Sequence, residues 1–173
     1  YNNLLINFLK INIMAQLSWG KPTIEFAECN GAEALKFKPL GYDPVEGSTK
    51  LTPTKGEKKE AKVEGGEVEA VKYAKSTFAF EFEVRAAKGR TKPIPDLDGV
   101  IEGEYAFRLI PEDPECEGIL IDRSIVSLEE TFDAAEGKKW KYTVDVLKPA
   151  DGAQVKPYVK TEPEAPADPE AGK

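Results

Sequence analysis

The chain of 173 residues contains no histidine, one methionine and two cysteines. Without histidine it lacks the commonest general base, the histidine-dependent nucleophiles and the usual mixed zinc sites. Cys29 and Cys116 are far apart and form no CxxC pair, so no metal motif is present. We expect two free thiols in a reducing compartment, with one long-range disulfide as the alternative. No catalytic, cofactor-binding or metal-binding residues are predicted.

Basic residues are outnumbered by acidic ones, 24 to 31, which gives a formal net charge of −7. A surface of this sign repels phosphate backbones, so general nucleic-acid binding is disfavoured, although a local basic patch remains open. The length suits one domain with tails. Many short elements joined by turns are indicated by 13 prolines and 14 glycines.

Both ends of the chain differ from its middle. Residues 1–13 use only amino acids that A/T-only codons encode, so we interpret them as a non-native or disordered leader, with Met14 as the natural start. A secretory signal is the competing interpretation. Residues 160–173 alternate Pro, Ala and acids and predict a disordered acidic tail. A single β domain is expected over residues 14–159.

The clearest structural signal is the segment from Thr77 to Val84. Phe78, Phe80 and Phe82 recur at every second position with acidic or small residues between them. This period predicts a β-strand with one buried and one exposed face. The three rings should therefore lie at the centre of the core.

Two glycine-containing turns predict hairpins earlier in the chain. A two-residue turn at Asn30-Gly31 would place Phe26 opposite Leu35. A turn at Gly65-Gly66 would set three pairs in register, namely Val63 with Val68, Lys62 with Glu69, and Ala61 with Ala70.

A third hairpin is predicted between Ile125–Asp133 and Lys139–Leu147. A three-residue loop, Ala135-Glu136-Gly137, would place Phe132 opposite Trp140. A short strand near Val155 to Val159 follows. The whole pattern predicts an all-β fold, an antiparallel β-sandwich or barrel built from hairpins, with a long loop and a disordered C-terminal tail.

The long loop runs from about Lys38 to Lys59, where prolines and glycines interrupt every pattern. We predict that it is a candidate assembly loop and that its apolar anchors contact a neighbouring subunit; the anchors are Leu40, Tyr42, Val45 and Leu51. Replacing Gly41 to Thr54 with a linker should then leave a folded domain that no longer assembles. A surface excursion without a partner is the alternative.

In the order of its features, the region from Leu17 to Tyr158 resembles the major tail (tail tube) proteins of long-tailed bacteriophages. The shared order is a long loop after the first hairpin, then GEKKEAKVEGGEVEAV, an aromatic strand, a Pro-rich bend and a paired final hairpin. The resemblance implies a structural subunit of a phage or prophage virion, assembled in the bacterial cytoplasm. It further implies stacked hexameric rings, contacts with itself and other tail proteins, DNA only as passing cargo, no cofactor and no membrane partner.

Two other functions stay open. A secreted or surface β-sandwich module that binds carbohydrate or protein would need clustered exposed aromatics, and Trp19 and Trp140 are far apart in the sequence. An enzyme would need a carboxylate pair such as glycosidases use, and the sequence singles out no such pair. We therefore do not expect an enzyme.

Overall fold

The computed structural model describes residues 17–31 and 34–161. Their ten strands are β1 (Thr23–Glu28), β2 (Lys38–Pro39), β3 (Lys50–Thr54), β4 (Lys58–Lys62), β5 (Val68–Tyr73), β6 (Thr77–Arg85), β7 (Tyr105–Ile110), β8 (Gly118–Asp133), β9 (Gly137–Val146) and β10 (Lys156–Tyr158). No helix long and apolar enough to cross a bilayer occurs in these two ranges. The predicted leader, Met14 and residues 162–173 of the predicted tail lie outside the described residues.

Eight of the strands form one antiparallel sheet in the order β2-β1-β7-β8-β9-β6-β3, and β10 pairs with the beginning of β8. Strands β4 and β5 form a separate two-stranded sheet. The prediction of an all-β antiparallel fold is confirmed, and its architecture is a curled sheet, or half-barrel. The short strand predicted near Val155 to Val159 is β10.

The curl of the sheet follows from one aromatic contact. Phe80 in β6 and Phe107 in β7 are three strand positions apart, yet their ring centroids are 6.1 Å apart. A flat sheet would separate these strands by about 14 Å. The sheet therefore closes around its own apolar face, which forms the core of the domain.

The predicted strand and its two faces are confirmed, and two of the three predicted core rings are buried. Phe80, Phe82 and Val84 of β6 are buried, and Phe82 stacks on Tyr142 of β9 with centroids 5.1 Å apart. The glutamates between them lie on the outer face, because alternate side chains of a strand point to opposite sides. Phe80 and Phe82 thus lie at the centre of the core, whereas Phe78 is only partly buried against it.

The predicted register of the first hairpin is wrong. Phe26 lies opposite Lys38 instead of Leu35, and nine residues instead of two connect β1 to β2. The shift lets Leu40 donate its N–H to the carbonyl of Ile24 and become buried beside the core, while Phe37 stacks on the guanidinium of Arg108. Burial of Leu40 outweighs the tight turn that Asn30-Gly31 favours locally.

The final hairpin has a three-residue loop, as predicted, but it begins one residue earlier and pairs Asp133 with Gly137. The Asp133 carboxylate accepts hydrogen bonds from the N–H groups of Ala135 (2.7 Å) and Glu136 (3.2 Å). This side-chain turn, together with the positive φ of Gly137, fixes the loop.

The change of loop moves the register by two residues, so the faces are kept but the partners change. Trp140 lies opposite Glu130, and the predicted pairing of Trp140 with Phe132 is wrong. Phe132 is 78% exposed, beyond the edge of the core.

Both cysteines are free thiols, as expected, and burial raises the pKa of Cys29.

A partly buried polar cluster fastens the segment of residues 91–100 to the sheet. The Asp96 carboxylate accepts hydrogen bonds from the Gly99 N–H (2.8 Å) and the Lys92 ammonium (2.5 Å), and Lys92 also pairs with Glu130. The Tyr142 hydroxyl donates to the carbonyl of Ile94 at 3.1 Å. The bond from Tyr142 satisfies a hydroxyl that the apolar core would otherwise leave without a partner.

Replacing Asp96 with alanine should lower the free energy of unfolding by about 1 to 3 kcal/mol at neutral pH, because the Gly99 N–H loses its acceptor. The Lys92 ammonium holds the pKa of Asp96 below its ordinary value. The contribution of Asp96 to stability is therefore fully present above the ordinary pKa of an aspartate. It is lost as the pH falls through the lowered pKa of the folded state. Urea denaturation at several pH values should show the gap between wild type and variant closing in acid; a constant gap would contradict this.

Tyr142 should make stability fall in alkali, since burial raises its pKa from 10.0 to about 12. Between these values the unfolded chain loses a proton that the folded chain keeps, so the free energy of unfolding falls as the pH rises. From about pH 9 to about pH 11 the wild type should lose roughly 1 to 2 kcal/mol more than Tyr142→Phe. Parallel alkaline denaturation curves would show that Tyr142 is not the responsible group.

Candidate assembly surfaces

The four residues predicted to anchor an assembly loop contact their own domain. Leu40 is 5% exposed in the core, and Tyr42 and Leu51 pack against that core. Val45 donates its N–H to the carbonyl of Glu83 at 2.8 Å. The segment is not one long loop either, since it contains β3. A contact of these residues with a neighbouring subunit stays a prediction.

The main surface feature is a ribbon made by two ladders that share one register. Lys50 lies opposite Glu81 at the start of the β3–β6 ladder, and Ala61 lies opposite Ala70 in the β4–β5 ladder. From the first pair to the second, each step forward along one strand of the ribbon is matched by one step back along the other. The Ala74 N–H donates to the carbonyl of Glu57 at 2.8 Å and bridges the two ladders. The two hairpins are therefore one long hairpin.

The predicted turn at Gly65-Gly66 closes this ribbon, and both glycines have positive φ angles. The predicted pair of Ala61 with Ala70 is confirmed. A bulge then places Lys62 opposite Val68, so the predicted pairs of Lys62 with Glu69 and of Val63 with Val68 are wrong. Two hydrogen bonds close the turn, from the Val63 N–H to the Glu67 carbonyl and from the Gly66 N–H to the Val63 carbonyl. The bulge leaves one residue of β5 without a partner in β4.

Residues 58–73, which we call the arm, extend away from the core. Every residue of β4 and β5 is exposed. Cross-strand partners share a face of a sheet, so Val68, Val71 and Tyr73 form one row. These three side chains remain 46 to 51% exposed. Facing them across the ribbon are Lys58, Glu60 and Lys62, which pair with one another.

Gly56 lies where the arm leaves the domain. A Cβ atom at this position would lie 2.0 Å from the carbonyl oxygen of Ala74, so only glycine allows the two backbone segments of the ribbon to approach this closely. The Lys55 ammonium lies over the ring of Tyr73, 4.6 Å from its centroid, and covers the base of the apolar row. The arm is thus held to the domain by a close backbone contact.

At the other end of the ribbon, the surface contains an apolar groove with a volume of about 860 Å³. Residues 18–22 form one wall and residues 43–51 the other, and the side chains of Phe80, Leu109 and Ile119 lie between them. Trp19 stands at the rim and is 73% exposed. We refer to this site as the groove.

The outer face of the sheet carries a balanced set of ion pairs. Glu81 lies 2.9 Å from the Lys50 ammonium and 3.6 Å from that of Lys141, and the hydrogen bond from Lys50 lowers the pKa of Glu81. Lys141 also reaches Glu129 at 4.0 Å. Both carboxylates of this set, Glu81 and Glu129, therefore have a cationic neighbour in Lys141. Among the residues described, no cluster of three metal-ligand side chains occurs.

Comparison with known proteins adds no relative. No protein-family model matches the chain. No curated protein is similar to it in sequence. Clues to function therefore lie in the arm, the groove and the charge distribution of the chain itself.

Sequence reasoning found the turn of the arm but missed the ribbon. The signal was present, because the register of the Gly65-Gly66 hairpin, continued past Gly56, places Leu51 opposite Phe80. The groove had no signal of this kind, since its walls and its inner surface come from five separate segments of the chain.

Proposed function

We propose that this protein is a self-assembling structural subunit of a phage-type tail tube. In this proposal, copies of the chain associate into stacked rings, which the family resemblance gives as hexameric, and the stack forms a conduit for DNA. Other tail proteins are further partners, and the virion is the place of action.

The observation that carries the proposal is the exposed arm. A two-stranded ribbon that packs on nothing is marginally stable in water. Its row of Val68, Val71 and Tyr73 is half exposed, and its outer edges offer unpaired backbone groups to another chain. Such a surface is favoured when a partner covers it, and a subunit that assembles with copies of itself always has that partner nearby.

The charge distribution and the ion pairs of the outer face are consistent with the same function. A net charge of −7 suits a conduit wall that does not retain DNA, because like charges repel the phosphate backbone. The described residues hold no metal-ligand cluster, and the ionised side chains of the outer face pair with one another. An architectural subunit needs neither a bound metal nor an unpaired catalytic side chain.

Light scattering at increasing protein concentration tests the proposal. The wild type should form species of many subunits, whereas a variant with Val68, Val71 and Tyr73 all replaced by serine should stop at a smaller size. Replacement of Ala61 and Ala70, on the opposite face of the arm, with serine is the matched control, because it also leaves the charge of the arm unchanged. Equal masses for the wild type and the triple variant at every concentration would remove the arm from the assembly.

The groove favours a second candidate function, a surface module that binds carbohydrate or protein. Trp19 at its rim is the kind of exposed aromatic side chain that such modules use. A monomeric wild type whose Trp19 fluorescence shifts with added oligosaccharide would favour this function over the tube.

A further inference from the structure

The arm and the groove lie at opposite ends of the same ribbon. The groove includes Lys50, Leu51 and Phe80, which belong to the first pairs of the ladder, while the turn of the arm is at Gly65-Gly66. At about 3.3 Å per residue, the two ends are separated by up to about 50 Å. A contact between them joins the front of one copy to the back of the next.

The arm is unable to occupy the groove of its own chain. Val71 pairs with Glu60, which is nine residues along the ribbon from Leu51, or roughly 30 Å. Folding back would break the ladder and the bond between Ala74 and Glu57. The arm of a second copy has no such constraint.

Charge also favours a second copy as the occupant. The chain carries a net charge of −7, so most of its surface repels another copy. Residues 58–73 are an exception, with four lysines and four glutamates. The charged side chains that line the groove are balanced as well, namely Lys21, Lys50, Asp43 and Glu46. A neutral arm approaches a neutral groove without that repulsion.

We propose that the groove is the receptor for the arm of the next copy, with the row of Val68, Val71 and Tyr73 packed onto its apolar interior. This inference rests on the proposed self-assembly and specifies its stacking contact. Arm and groove are different surfaces, so the contact is heterologous and each copy offers one free end for another. The result is a stack in which all subunits point the same way.

Two single variants and their mixture test this contact. Val71→Glu disables the arm and keeps the groove, and Trp19→Glu disables the groove and keeps the arm; both positions are exposed, so both variants should fold. Each should weaken stacking at least about tenfold, since a charge replaces an apolar contact in the interface. Ala70→Glu, on the other face of the arm, is the matched control and should stack like the wild type.

Mixing the two variants gives the decisive result in sedimentation experiments. One intact arm and one intact groove remain, so the mixture should form a species with twice the mass of either variant alone. No new species on mixing, or Trp19→Glu stacking like the wild type, would overturn the groove as receptor while self-assembly stands. A wild type that does not associate at all would instead overturn the proposed function itself.

Discussion

Replacing Phe82 with alanine is expected to lower the free energy of unfolding by about 3 to 5 kcal/mol, because the missing ring leaves a cavity at the centre of the core. Phe82 is fully buried, stacks on Tyr142 and lies 6.2 Å from the ring of Phe107. A domain of this kind has a total stability of roughly 5 to 15 kcal/mol, so the loss is a large fraction of it. Chemical denaturation followed by circular dichroism measures the loss.

Glu83→Ala is the control, one position further along the same strand and on its other face. Its carboxylate lies 3.9 Å from the Lys139 ammonium, its one ion-pair partner in the described part of the chain. Partly exposed pairs of this type contribute about 0 to 1 kcal/mol, so the variant should unfold close to the wild type. Similar losses for the two variants would show that the buried and exposed faces of β6 are assigned wrongly.

Replacing residues 57–74 with a four-residue Gly-Ser linker is expected to leave a folded domain that no longer forms large assemblies. The arm contributes no side chain to the core cluster, and the β3–β6 ladder ends at Thr54 and Thr77, close enough for a short connection. The thermal midpoint should therefore change little, while light scattering should show loss of the large species.

Linker replacement of residues 41–54 makes an informative contrast. From the sequence alone, this variant too is predicted to fold but not to assemble. The structure leads to a different expectation for this variant. Residues 50–54 are strand β3, and Leu51 packs against the core. Their removal should expose the edge of β6 and lower the thermal midpoint. For the variant without residues 57–74, unfolding would contradict the expectation that the domain folds without the arm. Assembly like the wild type would contradict the function given to the arm.

Periodicity predicted the strands whose faces differ in polarity. In β6 three phenylalanines alternate with polar or small residues, and the burial of Phe80 and Phe82 follows that alternation. The length of the final loop was also predictable, because Gly137 supplies the positive φ that such a loop needs. These features depend on neighbours in the sequence.

Registers that depend on distant contacts were not predictable in this way. Leu40 fixes the pairing of β1 with β2 through burial in a core that five other strands build, and the Asn30-Gly31 dipeptide carries no information about that core. The final register has a local cause instead, because the Asp133 carboxylate accepts hydrogen bonds from Ala135 and Glu136, and the position of Gly137 alone does not reveal this side-chain turn. The groove depends on the curl of the whole sheet.

Electron microscopy of the concentrated wild-type protein, with light scattering on the same sample, tests self-assembly most directly. The expected images show rings and stacks of rings with a central channel, and the expected mass is a multiple of the subunit mass that grows with concentration. Particles of a single subunit mass at every concentration, with no rings or filaments on the grid, would contradict the account.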